Sequence, residues 1–247
     1  MDRMLYVSMT GAQQTMTAQT ANNNNLANAN TTGFRADLNA FRSVPVQGPG
    51  YQSRAYAMME RDNVDFTQGM VRSTDRELDV AVNGNGWIAV QARDGSEAYT
   101  RAGNLSIQQG GLLVTGDGLP VLGNGGPINI PDADSINIGL DGTISVKPIG
   151  AAANAQVVVD RIKLVKPDTA SLYKGEDGLI RLNNGAVADA DASVRVTAGS
   201  LETSNVNTVN ALVNMISLSR QYESQVKMMK QAGDLETSSD QLLRLNG

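Results

Sequence analysis

The two ends of the chain carry the same periodic pattern, and this pattern constrains the fold more than any other feature. Selected positions recur at alternating spacings of three and four residues: Leu5, Met9, Ala12, Met16, Gln19, Asn23 and Leu26 near the start, and Met215, Leu218, Tyr222, Gln225, Met229, Ala232, Glu236, Ser239 and Leu243 near the end. The spacing predicts one helix face in each segment, and a sustained heptad is typical of a coiled-coil seam. The alternatives are a helical pair that carries the rest of the chain and two amphipathic helices that cap an ordinary core.

Histidine and cysteine are both absent from the 247 residues. Without them the sequence has no Ser-His-Asp triad, Cys-His pair, imidazole general base or histidine-rich metal site. The net charge of −5 makes neither nucleic acid nor an anionic membrane surface an expected partner. Two carboxylates can hydrolyse glycosides without histidine, but the sequence nominates no such pair. We therefore expect no catalytic residue, no cofactor and no enzyme activity.

No stretch of the sequence resembles a targeting or membrane-spanning segment. Polar residues between Ser8 and Gln14 interrupt any apolar run that would serve as the core of a cleavable signal. No run approaches the roughly 20 apolar residues that a membrane helix needs. We expect a protein that is not inserted in a membrane and that, if exported, uses a route without a cleaved leader.

The middle of the chain is predicted to be rich in short β-strands. Apolar or alternating runs begin at Leu78 and recur as far as Val165, and turns such as Asp94-Gly95 and Asp141-Gly142 separate them. We therefore predict an α+β protein. Its mainly-β central domain is sandwich- or barrel-like with short antiparallel strands, and N- and C-terminal α-helices flank it and form a coiled-coil-like domain.

The helix and turn signals divide the chain into five segments. We predict an N-terminal helix of the coiled-coil-like domain at 1–35, an extended connector at 36–74, a β-rich body at 75–195, a return connector at 196–204 and a C-terminal helix of the coiled-coil-like domain at 205–247.

Local signals also predict how the helices begin and end. The first helix is expected to stop between Ala27 and Ala29, with Gly33 in the left-handed position beyond it. Ser204 or Asn205 is the expected N-cap of the second helix. Gly233 is expected to bend or break that helix, because glycine costs about 1 kcal/mol relative to alanine in a helix.

The run Asn22–Asn25 is unusual, because asparagine is a poor helix former. One interpretation is a frayed helix end or a loop. The other is a set of side-chain amides that hydrogen-bond between packed helices in an assembly. The spacing does not choose between them.

Three stretches resemble the signatures of a known family. They are NNNNLANANTTGF at 22–34, the block from LDVAVNGNGW to GDGLPVLG at 78–123, and GSLETSNVN at 199–207. These stretches resemble the axial proteins of the bacterial flagellum, the family of rod, hook and hook-associated subunits. The opening MDRMLY at 1–6 resembles the start of the proximal-rod members. The resemblance thins between Asn124 and Ser193, and Trp87 stands where the family usually has phenylalanine.

This resemblance implies a structural subunit of the proximal rod of the flagellar basal body. Such a subunit assembles helically through its terminal helices, transmits torque and lines the export channel. The implied partners are other copies of the chain, the proximal and distal rod proteins, and the flagellar export apparatus during secretion. The implied location is the periplasmic rod. Alternatives are a distal-rod or hook subunit of the same family and, more remotely, an exported carbohydrate-active β protein.

The helix faces supply the residues expected at the assembly interface. They are Leu5, Met9, Met16, Asn23, Asn25, Leu26, Met215, Leu218, Tyr222, Met229 and Leu243. Because this seam is only marginally apolar, we expect the ends to be partly disordered in the monomer and to order on joining neighbours. Leu5→Asp or Met229→Asp is expected to abolish assembly while the β body stays folded.

The acidic residues of the loops could indicate a calcium site. Asp132, Asp134, Asp189 and Asp191 lie in pairs, yet the glycine and the terminal glutamate of an EF-hand loop are not in register with them. Solvated loop acids are the favoured interpretation, and we expect no metal site.

Overall fold

The computed structural model describes residues 3–45, 55–59, 63–150 and 155–245, with an α+β fold. Among these residues it has two α-helices and many short antiparallel strands in a β-rich middle. The chain forms two compact units. The first consists of Met1–Ala29, Asp37–Asp65 and Val206–Gly247, and the second of Asn30–Ala36 and Phe66–Asn205.

The two helices are α1, Arg3–Ala27, and α2, Thr208–Leu245. The end of α1 lies where the sequence predicts it. The predicted N-caps of α2 are wrong, because the Asn207 side-chain oxygen accepts the Asn210 N–H at 3.0 Å and so caps the helix. Of the predicted bend or break at Gly233, the break does not occur, and the bend stays a prediction. A helix of 38 residues runs through this position without interruption, and one glycine costs too little to stop it.

Short strands accompany the helices in the first unit. Its described strands are β1 (Asp37–Leu38), β2 (Phe41–Pro45), β3 (Ala55–Met59) and β4 (Asn63–Val64). β1 pairs with β4 and β2 with β3, all antiparallel, and β1 and β3 contact α1. The sequence predicts an extended connector without its own core here. Instead β1 and β3 pack against α1, and Val44 of β2 pairs with Tyr56 of β3, both half-buried.

The second unit holds the remaining strands. They are β5 (Val71–Ser73), β6 (Val80–Asn83), β7 (Trp87–Gln91), β8 (Glu97–Thr100), β9 (Ser106–Ile107), β10 (Leu113–Val114), β11 (Ala133–Ile138), β12 (Thr143–Pro148), β13 (Val157–Arg161), β14 (Leu164–Val165), β15 (Leu172–Lys174), β16 (Ile180–Leu182), β17 (Arg195–Ala198) and β18 (Ser200–Glu202). Five strands form a sheet in the order β14-β7-β8-β16-β15, and three form the sheet β11-β12-β13. The remaining pairs are β9 with β10, β6 with β17, and β5 with β18.

Strand β7 lies between the two apolar clusters of this unit. Ile88 and Val90 point into the larger cluster, whereas Trp87 and Ala89 point into the smaller one. A continuous apolar run is what a strand covered on both faces requires. β6 is similar, since Val80, Ala81 and Val82 are all buried. The sequence predicts a half-buried strand there. That prediction is wrong because Ala81, small enough to read as a surface residue, is covered as well.

Tyr99 on β8 links the smaller cluster to a loop. Its hydroxyl oxygen accepts the Ala188 N–H at 2.6 Å. Burial raises the pKa of Tyr99, the hydrogen bond from Ala188 opposes this, and the charge of Glu97 adds to the rise. A raised pKa means that the neutral phenol contributes stability below its ordinary pKa, near 10, and that this contribution is lost as the pH rises through the pKa of the folded state.

Tyr99→Phe is therefore expected to have two effects on the free energy of unfolding. At pH 7 that free energy should fall by about 1 kcal/mol, because the Ala188 N–H loses its acceptor. Above pH 10 the variant should lose less stability than the wild type. Urea unfolding at both pH values measures these effects, with the exposed Tyr173→Phe as the control. An equal alkaline loss in Tyr99→Phe and the wild type would contradict the assignment.

Neither described helix combines the length and the apolar character needed to cross a bilayer.

Candidate assembly surface

Helices α1 and α2 pack against each other as an antiparallel pair. Asn22 near the end of α1 donates its side-chain N–H to the Ala211 carbonyl at 2.9 Å, near the start of α2. Gly11, farther back on α1, lies against Gln225, farther along α2. A Cβ at Gly11 would come within 2.9 Å of the Gln225 side chain. Gly11 therefore leaves room for the end of the Gln225 side chain where it lies against α1.

The face of α1 that packs inward consists of small residues. Ser8, Ala12, Thr15, Ala18 and Asn22 are buried. These positions recur every three or four residues, as the predicted seam does, but the face is rotated from it by roughly a quarter of a helical turn. The prediction followed the large residues, and the helix instead buries its small ones.

The predicted interface positions fall into three groups. Leu5, Asn25, Leu26, Met215, Leu218, Tyr222 and Met229 are half-buried, Met9, Met16 and Asn23 are exposed, and the Leu243 side chain lies outside the described residues. The predicted positions on α2 thus lie on the side of the helix where Ala211 and Ala232 are buried. Whether any of these residues contacts a neighbouring subunit stays a prediction.

The outward face of α1 carries exposed apolar side chains. Met9 and Met16 are 52% and 56% exposed, and Tyr6 is 44% exposed. They are spaced by three and seven residues and so lie on one side of the helix. Large apolar side chains placed together on a surface are typical of an interaction site.

The outward face of α2 is more apolar still, in its first turns. Val209, Leu212, Val213 and Ile216 are 67%, 45%, 59% and 54% exposed. We call these four residues the α2 outer patch. Helical geometry places them opposite the face that meets α1. This patch is not among the positions predicted from the sequence, although its spacing of three and four residues is a readable signal.

The asparagine run is part of α1 and not a frayed end. Asn22 bonds to α2, and Asn25 bonds to both backbone groups of Asp37: its Nδ2 donates to the carbonyl, and its Oδ1 accepts the N–H, each at 2.8 Å. Asn23 and Asn24 are exposed. The amides of Asn22 and Asn25 therefore join packed elements within one chain, and their role between subunits of an assembly stays a prediction.

Asn22→Ala is expected to lower the free energy of unfolding of the helical unit, the first of the two units, by about 1–2 kcal/mol, because the buried Ala211 carbonyl loses its donor. The adjacent Asn23→Ala is a matched control and should change it by less than about 0.5 kcal/mol. Thermal unfolding followed at 222 nm compares the variants. Equal effects at the two positions would argue against the helix pairing described above.

A buried ionic cluster lies in the second unit, near β18. Glu202 accepts hydrogen bonds from Arg35 at 2.6 Å and from Arg101 at 2.8 Å. Both guanidinium groups lie over the Trp87 ring, at 5.7 and 5.1 Å from its centre. Burial lowers the pKa of Arg101, Glu202 opposes this shift, and Arg35 adds to it. No sequence signal marked these residues as a cluster.

The acidic loops do not form a metal centre in the part of the chain that the structure describes. No group of three or more carboxylates is positioned there to hold an ion. Hydrogen bonds from the backbone and side chain of Ser193 hold the pKa of Asp191 below its usual value. The lowered pKa of Asp191 is therefore explained by hydrogen bonds within its own loop.

Two family models match the chain. The D1 domain of the flagellar hook protein FlgE/F/G matches residues 81–146, and the C-terminal domain of the flagellar basal body rod protein FlgEFG matches residues 197–242. The first match covers most of the larger apolar cluster, and the second covers most of α2. The class so defined is that of flagellar hook and rod proteins.

Full-length relatives narrow this class. The chain is 42% identical over 252 residues to the flagellar basal-body rod protein FlgF of Salmonella typhimurium and to that of Escherichia coli, with 100% of both chains covered in each case. It is 32% identical over 265 residues to the rod protein FlgG of Bacillus subtilis, with 98% of this chain and 97% of the relative covered. The chain belongs to the FlgF family of flagellar basal-body rod proteins.

Proposed function

We propose that this chain is a structural subunit of the proximal rod of the flagellar basal body. The observation that carries the proposal is the full-length identity of 42% to FlgF proteins. The exposed apolar faces of α1 and α2 support it, because an isolated protein gains nothing from exposing them.

The proposed mechanism is helical assembly through the two terminal helices. The inner faces of α1 and α2 hold the pair together, as a coiled-coil-like domain, and their outer faces pack against neighbouring subunits. Unlike surfaces that meet with a non-closing rotation generate a helical filament. The helices then line the central export channel, and the β body of each subunit is sandwich-like. Torque passes from subunit to subunit through the packed helices.

Partners and location follow from this arrangement. The chain contacts other copies of itself and the neighbouring proximal and distal rod proteins, and it passes through the flagellar export apparatus on its way to the periplasmic rod. The proposed contacts with neighbouring subunits are the exposed positions selected by sequence, Met9, Met16 and Asn23, together with the α2 outer patch. The half-buried positions selected on α2 are proposed to contact α1 within the pair. The role is structural and not enzymatic.

Complementation of a deletion strain tests this function. The host gene is deleted, and three forms are returned: the full chain, a chain lacking 1–29 and a chain lacking 206–247. Basal bodies are then imaged by electron microscopy. We expect the full chain alone to restore a rod that continues into a hook, and both truncated chains to leave membrane rings without an outer rod.

Other outcomes separate the alternatives. Intact motile flagella in the deletion strain would contradict the proposal. Deletion that leaves a complete rod but no hook would favour a hook subunit, and deletion that shortens only the outer part of the rod would favour a distal-rod subunit. Hydrolysis of purified peptidoglycan by either truncated chain would favour a carbohydrate-active protein.

A further inference from the structure

The chain passes between the two compact units at four points. These lie after Ala29, after Ala36, after Asp65 and after Asn205. Every passage therefore begins or ends in a short segment of the second unit. The segments are 30–36, the stretch that starts at Phe66, and the stretch that ends at Asn205.

Asn205 ties these segments together. Its side-chain oxygen accepts the Ala36 N–H at 2.8 Å, and its side-chain N–H donates to the Thr67 carbonyl at 3.1 Å. Its backbone N–H also donates to the Phe34 carbonyl at 3.4 Å. One residue thus bonds directly to two other segments.

Glu202 makes a second set of bonds to the same segments. Its carboxylate accepts the Gly69 N–H at 2.8 Å and the guanidinium of Arg35 at 2.6 Å. Its backbone carbonyl accepts the Gly33 N–H at 2.8 Å. The other carboxylate oxygen accepts Arg101 at 2.8 Å, which anchors the set to the β body.

The burial of this set is costly. Arg35, Arg101 and Glu202 are 2%, 2% and 1% exposed, so two positive charges and one negative charge are removed from water. Among the described residues, Arg35 Nε and Nη1 and Arg101 Nε have no hydrogen-bond partner. Apolar residues of similar size stabilise a fold as well as a buried ionic cluster does, or better. The best-attested use of such a cluster is to specify one arrangement of the chain.

We propose that Arg35, Arg101, Glu202 and Asn205 form a clasp that holds the four chain passages in a single arrangement and that opens and closes as one unit. Glu202 is its centre, because among the four clasp residues it alone bonds to both of the other segments and to the β body. The clasp forms only after residues far apart in sequence have reached the body. It therefore closes after the apolar clusters have formed, and it opens without unfolding them.

Native-state hydrogen exchange tests the clasp. The Gly33, Ala36 and Gly69 amides should exchange at a common rate in the wild type, faster than the Val121 amide, which bonds to Leu113 in the core. Glu202→Gln should accelerate the three clasp amides together by about tenfold or more, while Val121 changes by less than about threefold. Equal acceleration of clasp and core amides, or no acceleration, would overturn the proposal.

Two further variants complete the design. Glu97→Gln removes the same charge from another ion pair of the unit, with Lys163 at 2.8 Å, and should leave the clasp amides unchanged. Asn205→Ala should accelerate the Ala36 and Gly33 amides without leaving an unpaired charge, so it tests the clasp even if Glu202→Gln fails to fold. Clasp amides that respond to Glu97→Gln as they do to Glu202→Gln would overturn the proposal.

The clasp is tested on the purified monomer and does not depend on rod assembly. Its consequence for the rod does rest on the proposed function: a force applied to one chain passage is transmitted to the other three. If the clasp amides respond as predicted but the chain builds no rod, the proposed function is wrong and the clasp proposal stands. If the chain builds a rod but the clasp amides do not respond as predicted, the clasp proposal is wrong and the proposed function stands.

Discussion

Ile216→Asp is expected to abolish rod assembly while the chain stays folded. Ile216 lies in the α2 outer patch and is 54% exposed, so a charge there should change the free energy of unfolding of the monomer by less than about 0.5 kcal/mol. In an assembled rod the same carboxylate would be buried without a partner. That burial costs several kcal/mol per subunit, repeated along the filament. The expected result is a non-motile strain with a normal level of folded protein.

The control for this variant is its neighbour. Ser217→Asp introduces the same charge at an exposed position about 100° around the helix and should retain much more motility. Motility in soft agar, counts of complete basal bodies and circular dichroism of the purified chains are compared. Leu5→Asp and Met229→Asp are less clean tests than Ile216→Asp, because both side chains are half-buried within the helical unit. Normal rods with Ile216→Asp would contradict the assembly surface.

Gly33→Ala is expected to lower the free energy of unfolding of the second unit by about 3 kcal/mol or more. Gly33 has a φ of +68°, which costs a residue with a Cβ about 1–2 kcal/mol. The new Cβ would also lie 2.3 Å from the Arg101 carbonyl carbon, and a backbone atom cannot move aside as a flexible side chain does. The main chain on one side or the other must shift, which strains the packing around it.

Gly185→Ala separates the two contributions. Gly185 has a φ of +67°, and no described atom lies within 4 Å of the position that its Cβ would take. This variant should cost only about 1–2 kcal/mol, the cost of the backbone conformation alone. Urea unfolding of both variants measures the difference. Equal costs would show that Gly33 is required for its conformation and not for its contact with Arg101.

The sequence predicted the helices well because their signals are local. The end of α1 could be read from the stop signal at Gly33, and the face of α2 that meets α1 from the spacing of its apolar residues. The inner face of α1 could not, because hydrophobicity assigns Met9 and Met16 to the interior and Ser8 and Thr15 to the surface. The structure does the reverse. Close packing of two backbones rewards small side chains, and this reward depends on a partner that a single-segment pattern does not contain.

The strands of the body were predictable where apolar runs and glycine turns coincide, as at β7 and β12. The short strands β1 to β4 were missed because their two to five residues carry too little alternation to detect. β1 and β3 pack against α1, and a local pattern does not contain this contact. The clasp was missed for a similar reason, because Arg35, Arg101 and Glu202 are far apart in sequence. Charged residues are also usually exposed to solvent, so the sequence does not indicate that these three are buried.

Cryo-electron microscopy of basal bodies that contain the full-length chain tests the central claim most directly. We predict that the chain lies in the rod, with Val209, Leu212, Val213 and Ile216 buried against a neighbouring subunit. A rod that lacks the chain, or one in which these four side chains remain exposed to solvent, would contradict it.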